Sequence, residues 1–137
     1  MDCIFCKILK KEIPSYCIYE DDYTYAFLDI AEDVDGHTLV VPKKHVVNVL
    51  DCDLETLSHV MNTIRLISKH YVEDLGFDGV NILNANNEAA EQSVFHLHFH
   101  IIPRKKNDGL HAWPNFLGAK HSLKEMADYL KLEHSAV

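Results

Sequence analysis

Along this chain the apolar positions change their spacing several times, and each change marks an element. Ile4 to Lys10 carries a short helical pattern that stops ahead of Pro14, because a proline pushes the residue before it out of helical geometry. Tyr16 to Glu20 and Tyr23 to Leu28 read as strands on either side of Asp21-Asp22, which predicts a hairpin. Gly36 opens another strand, His37 to Val41, which ends at Pro42. From Asp53, a residue suited to an N-cap, Leu54, Leu57, Met61, Ile64, Ser68, Tyr71 and Leu75 recur about every 3.6 residues. That spacing predicts a long helix to about Asp74, terminated by Gly76. Strands follow at Gly79 to Asn84 and Val94 to Ile102, and the capping box of Ser122 and Glu125 starts a last helix through Leu130. Helix, three strands, long helix, two strands, helix is the order of an α+β domain with a mainly antiparallel, five-stranded sheet.

With 137 residues, 47% of them apolar, the chain has one core and one domain, 1–137. Within it, 104–137 reads as a flexible loop, Arg104 to Gly118, followed by the last helix. No apolar run approaches the roughly 20 residues of a membrane span, and the first residues lack a secretory signal pattern. A soluble, cytoplasmic protein without a membrane partner is the expectation. A net charge of −8 repels DNA and RNA phosphates, so the expected partner is no nucleic acid; a small anion requires a local basic or dipolar site. Lys43, Lys44, Arg104, Lys105 and Lys106 either supply such a site or form a solvated face. Cys3-x-x-Cys6 favours metal ligation or redox chemistry over a disulfide framework, while Cys17 and Cys52 read as small buried hydrophobes.

The segment Gln92 to Ile102 is the most informative, because histidines alternate in it with large apolar residues. Strand periodicity puts His96, His98 and His100 on one face and Leu97, Phe99 and Ile101 on the other. At about 3.3 Å per residue the outer two histidines attach some 13 Å apart, too far for one metal to gather all three. At least one therefore does other work, and the central imidazole suits a nucleophile or general base.

This alternation is similar to the signature of the histidine triad superfamily. Gln92-Ser93-Val94, Phe27-Leu28-Asp29-Ile30, Gly36 to His45 and Ile4-Phe5-Cys6-Lys7-Ile8 resemble it as well, over nearly the whole chain. The resemblance implies a homodimer with a continuous sheet, each subunit binding a purine nucleotide against its histidine strand. It implies that His98 becomes covalently nucleotidylated and that His100 contacts the α-phosphate. Gln92 and Ser93 are then expected on phosphate oxygens and the leaving-group side, Asp29 on the ribose hydroxyls, and Phe5, Ile8, Phe27 and Ile30 around the base. Asn84 and Asn86 both stand near the position of an amide facing the nucleotide. Asp29 read without the resemblance is a strand-end turn residue, and the apolar four are plain core. One departure is Glu91, where the family has glycine: it must tolerate positive φ or mark an altered phosphate loop.

The resemblance extends to a structural zinc site on Cys3, Cys6, His45 and His96, as in related uridylyltransferases. The alternative is reduced, metal-free cysteines with His45 and His96 bonded to backbone. His37, His59, His70, His111, His121 and His134 read as surface or structural residues, and Trp113-Pro114 resembles a segment that reaches a partner subunit's site. The implied activity is a two-step nucleotide phosphohydrolase acting at the α-phosphate of a phosphoramidate or related nucleotide. Its rivals are a dinucleoside polyphosphate hydrolase, a nucleotidyltransferase and a nucleotide-sensing module with little turnover.

Overall fold

The computed structural model describes residues 2–132. A six-residue helix α1 (Ile4–Leu9) precedes strands β1 (Cys17–Glu20), β2 (Thr24–Leu28) and β3 (Thr38–Pro42). The long helix α2 (Leu54–Lys69) runs on through a π-helical turn, His70–Asp74, before β4 (Gly79–Leu83), β5 (Phe99–Arg104) and α3 (Leu123–Leu130). The strands make one antiparallel sheet in the order β1-β2-β3-β5-β4. The predicted α+β class and five-stranded sheet are therefore as observed.

Alternation along the strands builds two cores, one on each face of the sheet. Ala26, Val40, Leu97, Phe99 and Ile101 pack with Val60, Ile64, Ile67 and Tyr71 of the long helix. Tyr25, Phe27, Leu39 and Val41 point the other way and are covered by Phe5 and Ile8 of α1. Each fully buried side chain of this size contributes about 1.5–3 kcal/mol. Polar groups inside the first core are matched: Thr24 Oγ1 lies 2.6 Å from Thr63 Oγ1, and Thr38 Oγ1 lies 2.7 Å from the Tyr71 hydroxyl.

Two expectations are corrected, and the buried face of α2 differs from the apolar spacing that predicted the helix. The buried stripe of α2 is Val60, Thr63, Ile64 and Ile67, with Leu57 partly buried, whereas Leu54, Met61 and Leu75 face outward. The hydroxyl pairing of Thr63 with Thr24 is what lets a polar residue take an inward place. The last strand begins at Phe99 and not at Val94, and it extends to Arg104. Beyond Val40 its neighbour β3 runs into Pro42, which has no N–H to donate. Residues 96–98 are held instead by Leu97 N–H to the Val46 carbonyl (2.8 Å) and by the His96 ring to the Pro42 carbonyl (2.9 Å). Cys17, finally, is exposed, while Cys52 packs partly buried against the α2-side core. His134 and 133–137 lie outside the described residues. The α3 helix has the expected capping box and buries none of its residues.

Candidate active site and metal centre

Because Leu97 and Phe99 turn into the α2-side core, His96, His98 and His100 rise together on the α1 side. Phe5 meets His96 and His98 edge-on, with ring centroids 6.0 and 5.1 Å away. His98 Nδ1 lies 2.8 Å from the His96 carbonyl oxygen. A carbonyl can only accept, so Nδ1 carries the hydrogen and Nε2 presents its lone pair. Burial also pushes His98 below the ordinary imidazole range, which keeps that lone pair available.

His100 Nδ1 lies 2.8 Å from Nε2 of His37, whose Nδ1 is 2.8 Å from Asp33 Oδ1. Asp29 Oδ2 stands 3.7 Å from the same His37 Nε2. His37 is thus a buried member of the site, although its sequence context reads as that of a surface or structural histidine. Its place two residues before Leu39, on the side of β3 that faces α1, was the available signal. Burial, reinforced by His98 and His37, pushes His100 down to about 4.

The loop from Asn84 to Gln92 is tied to this strand by amides. Asn84 Nδ2 donates to the His98 carbonyl at 2.9 Å, next to the nucleophile candidate. Asn86 instead bonds Asn84 and receives Val49 N–H at 2.9 Å, so it braces the loop. Gln92, expected on phosphate oxygens, is buried: its Nε2 donates to the carbonyls of Val47 and Val94, and its Oε1 accepts from Asn87 N and Asn48 Nδ2. With both ends of its amide used, it is a strut. Ser93 is exposed beside a hollow of about 420 Å³ that Cys3 and His45 also line. Glu91 does adopt the left-handed conformation that glycine favours, at φ 70°. It borders a second hollow of about 440 Å³, with Asp33, His37, Asn84, His100 and Arg104.

Of the apolar four, Phe5, Ile8 and Phe27 are core residues of the α1 side, and Ile30 is 80% exposed. Asp29 is half-buried next to His37, its Oδ1 accepting from Ala31 N at 2.9 Å. Lys43, Lys44 and Arg104 are each paired with an acid, Glu20, Asp53 and Asp108, which matches a solvated face more than an anion trap.

Cys3, Cys6, His45 and His96 form the second constellation, with all four ligand atoms within 4.8 Å of one another. Cys3 is the N-cap of α1, its sulfur accepting Cys6 N–H at 3.3 Å, so helix and ligand pair are set together. His96 Nδ1 lies 3.4 and 3.5 Å from the sulfurs of Cys3 and Cys6, His45 Nδ1 lies 3.3 Å from that of Cys6, and the two Nδ1 atoms are 3.1 Å apart. A tetrahedral zinc with bonds of about 2.3 Å to sulfur and 2.0–2.1 Å to nitrogen would set these at about 3.6 and 3.4 Å. His96 gives its Nε2–H to Pro42, which bares Nδ1 toward the sulfurs. Two sulfurs and two imidazole nitrogens crowd one point, a donor set that a tetrahedral cation satisfies.

A family model, the HIT domain, matches residues 10–107. The adenosine 5′-monophosphoramidase HNT1 of Saccharomyces cerevisiae is 41% identical over 114 residues, covering 82% of this chain and 70% of that protein. The adenylylsulfatase HINT3 of Arabidopsis thaliana is 39% identical over 123 residues, 90% of this chain and 61% of that one. Among solved structures, a Zn-bound histidine triad family protein from Mycobacterium smegmatis superposes with a TM-score of 0.77 at 38% identity, covering 84% of each chain. The alternating histidines, the sheet that carries them and these relatives place the chain in one family: it belongs to the histidine triad family and carries its HIT domain.

Proposed function

We propose that the protein is a nucleotide hydrolase that cleaves at the α-phosphate of a purine nucleotide, a nucleoside phosphoramidate or a related conjugate, through a covalent nucleotidyl-His98 intermediate. The observation that carries this reading is the 2.8 Å contact of His98 Nδ1 with the His96 carbonyl, which leaves Nε2 as the free nucleophilic atom. Its kinship with a monophosphoramidase and an adenylylsulfatase supports the substrate class. In this reading His98 Nε2 displaces the leaving group from phosphorus and water then releases the nucleoside monophosphate. His100 faces the phosphate and Ser93 the leaving-group side, Asn84 steadies the His98 backbone, and Asp29 holds the ribose hydroxyls, to which a carboxylate offers two acceptor oxygens.

Cys3, Cys6, His45 and His96 would hold a zinc ion, which with four protein ligands has no open position and serves to fasten α1 to the triad segment. The active assembly is a homodimer. The edge strand β4 exposes Ile82 and Leu83, and Val72 and Leu75 are exposed at the end of the long helix, a combination that supports pairing with a second copy. No helix among the described residues is long and apolar enough to cross a membrane. Four free cysteines fit a reducing compartment, and we place the protein in the cytoplasm. The test is mass spectrometry of protein quenched during turnover of an adenosine phosphoramidate. A nucleotidyl adduct on His98, absent in His98→Ala, is the expected result; turnover by His98→Ala within about tenfold of the unmutated rate would overturn the reading.

A further inference from the structure

His37 and His100 share one proton between facing nitrogens 2.8 Å apart, and two arrangements of it are available. With the proton on His100 Nδ1, the other nitrogen of His100 is a bare acceptor. When the pair holds one proton more, on His100 Nε2, the shared proton lies on His37 Nε2: His100 Nε2–H is then a donor, and His37 holds hydrogens on both nitrogens because its Nδ1 faces a carboxylate, which only accepts. We propose that Asp33 is the positioning residue of the reaction: it pins the His37 Nδ1–H, so that the His37–His100 pair passes its shared proton forward in the first chemical step and back in the second.

The inference rests on the hydrolase reading above. Burial pushes His100 down to about 4, so the positive charge of the donor arrangement belongs on His37, between Asp33 at 2.8 Å and Asp29 at 3.7 Å. Asp33 is itself held ionised, its carboxyl drawn below the usual range chiefly by the His37 hydrogen bond. It is also fixed in direction, because Oδ1 accepts Val34 N–H at 2.9 Å.

The proton count closes over the cycle. As His98 Nε2 bonds to phosphorus, the bond to the leaving amine breaks and its electron pair stays on nitrogen. That nitrogen takes the proton from His100 Nε2, His100 Nδ1 takes one from His37 Nε2, and His37 is left neutral with its Nδ1–H still on Asp33. His100 Nε2 is now bare. When water attacks phosphorus, the pair of the P–His98 bond returns to Nε2 of His98, His100 Nε2 takes the water proton, and His100 Nδ1 returns its proton to His37. Neither ring needs to turn.

A leaving group that departs without a proton does not need the forward transfer, and this supplies the test. First-turnover release is measured for unmutated protein and Asp33→Asn with two substrates, an adenosine 5′-(N-alkyl)phosphoramidate and adenosine 5′-(4-nitrophenyl) phosphate. Asp33→Asn is expected to slow amine release about tenfold or more and 4-nitrophenolate release by less than about threefold. Equal slowing of both, or none of either, overturns the proposal. Ring-nitrogen ¹⁵N spectra read the pinning without turnover: His37 Nδ1 protonated in the unmutated protein and losing that preference in Asp33→Ala supports it, and a bare His37 Nδ1 in the unmutated protein overturns it. Unmutated protein that releases neither leaving group sinks the hydrolase reading alone, and the spectra still decide the role of Asp33.

Discussion

Gly36 sits one residue before His37, at φ +81°, and a Cβ built on it falls 3.0 Å from Cγ of Pro103 in β5. Gly36→Ala therefore combines two penalties. An L-residue held in the left-handed region costs about 1–2 kcal/mol, of which the lost freedom of the unfolded chain gives back about 0.4–1. The contact adds an overpacking cost of about 1–3 kcal/mol, since Pro103 is buried in the sheet and cannot swing aside as a long side chain would. Gly76 separates the two, because it has the same φ of +81° with nothing within 4 Å of its Cβ position. Guanidinium denaturation at fixed metal content should give a loss of about 1 kcal/mol for Gly76→Ala and about 2–4 for Gly36→Ala, with m-values unchanged. Pro103→Ala should then be less harmful in the Gly36→Ala background than alone, the mark of a direct contact. If Gly36→Ala is no worse than Gly76→Ala, the close approach of Gly36 to the Pro103 ring does not constrain the turn before His37, which refutes the assigned overpacking.

Protein purified without chelators should carry about one zinc per chain by elemental analysis, and chelation or Cys3→Ser/Cys6→Ser should lower Tm while leaving detectable turnover. Metal-free protein as stable as the loaded form would remove the site from its structural role. Acidification gives a signed test of His100, which the fold holds at about 4 against 6.5. The fold favours the neutral ring, so its contribution is complete above pH 6.5 and is lost as pH falls from 6.5 through 4, up to about 3 kcal/mol. His100→Gln should flatten that part of a denaturation-midpoint profile, and an unchanged acid limb would contradict the assigned burial.

The triad and the Cys-His cluster were legible because a strict chemical rhythm, His-x-His-x-His, and a Cys-x-x-Cys pair survive any ambiguity of register. The beginning of β5 was not, because where a ladder starts depends on its neighbour: β3 runs into Pro42 on another part of the chain. The buried face of α2 was partly legible. Of the residues whose spacing predicts the helix, Ile64 and Tyr71 are buried and Met61 is exposed, while Thr63, outside that pattern, is buried because the fold brings Thr24 to within 2.6 Å of it. Gln92 was visible as polar and near the histidines, yet polarity does not say which partner it takes, and the Val47 and Val94 carbonyls claim it. Asp33 and His37 escaped for the same reason, as their link to His100 spans 63 residues.

His96 gives three different things to its surroundings: Nδ1 to the sulfurs of Cys3 and Cys6, Nε2–H to Pro42, and its carbonyl oxygen to His98. Only the first two depend on its being histidine. Evolution can therefore treat this position as two characters, one encoded in the side chain and one in the path of the backbone, joined only through the ring's bond to Pro42. A descendant that loses Cys3 and Cys6 keeps one reason for an imidazole at 96, the Nε2–H bond to Pro42, and still offers His98 the same oxygen as long as the strand keeps its course. The reverse is closed, because no side chain at 96 can replace that oxygen if the strand shifts. Within a lineage of such proteins, metal ligands should come and go, while the path of the main chain one residue before Leu97 stays fixed.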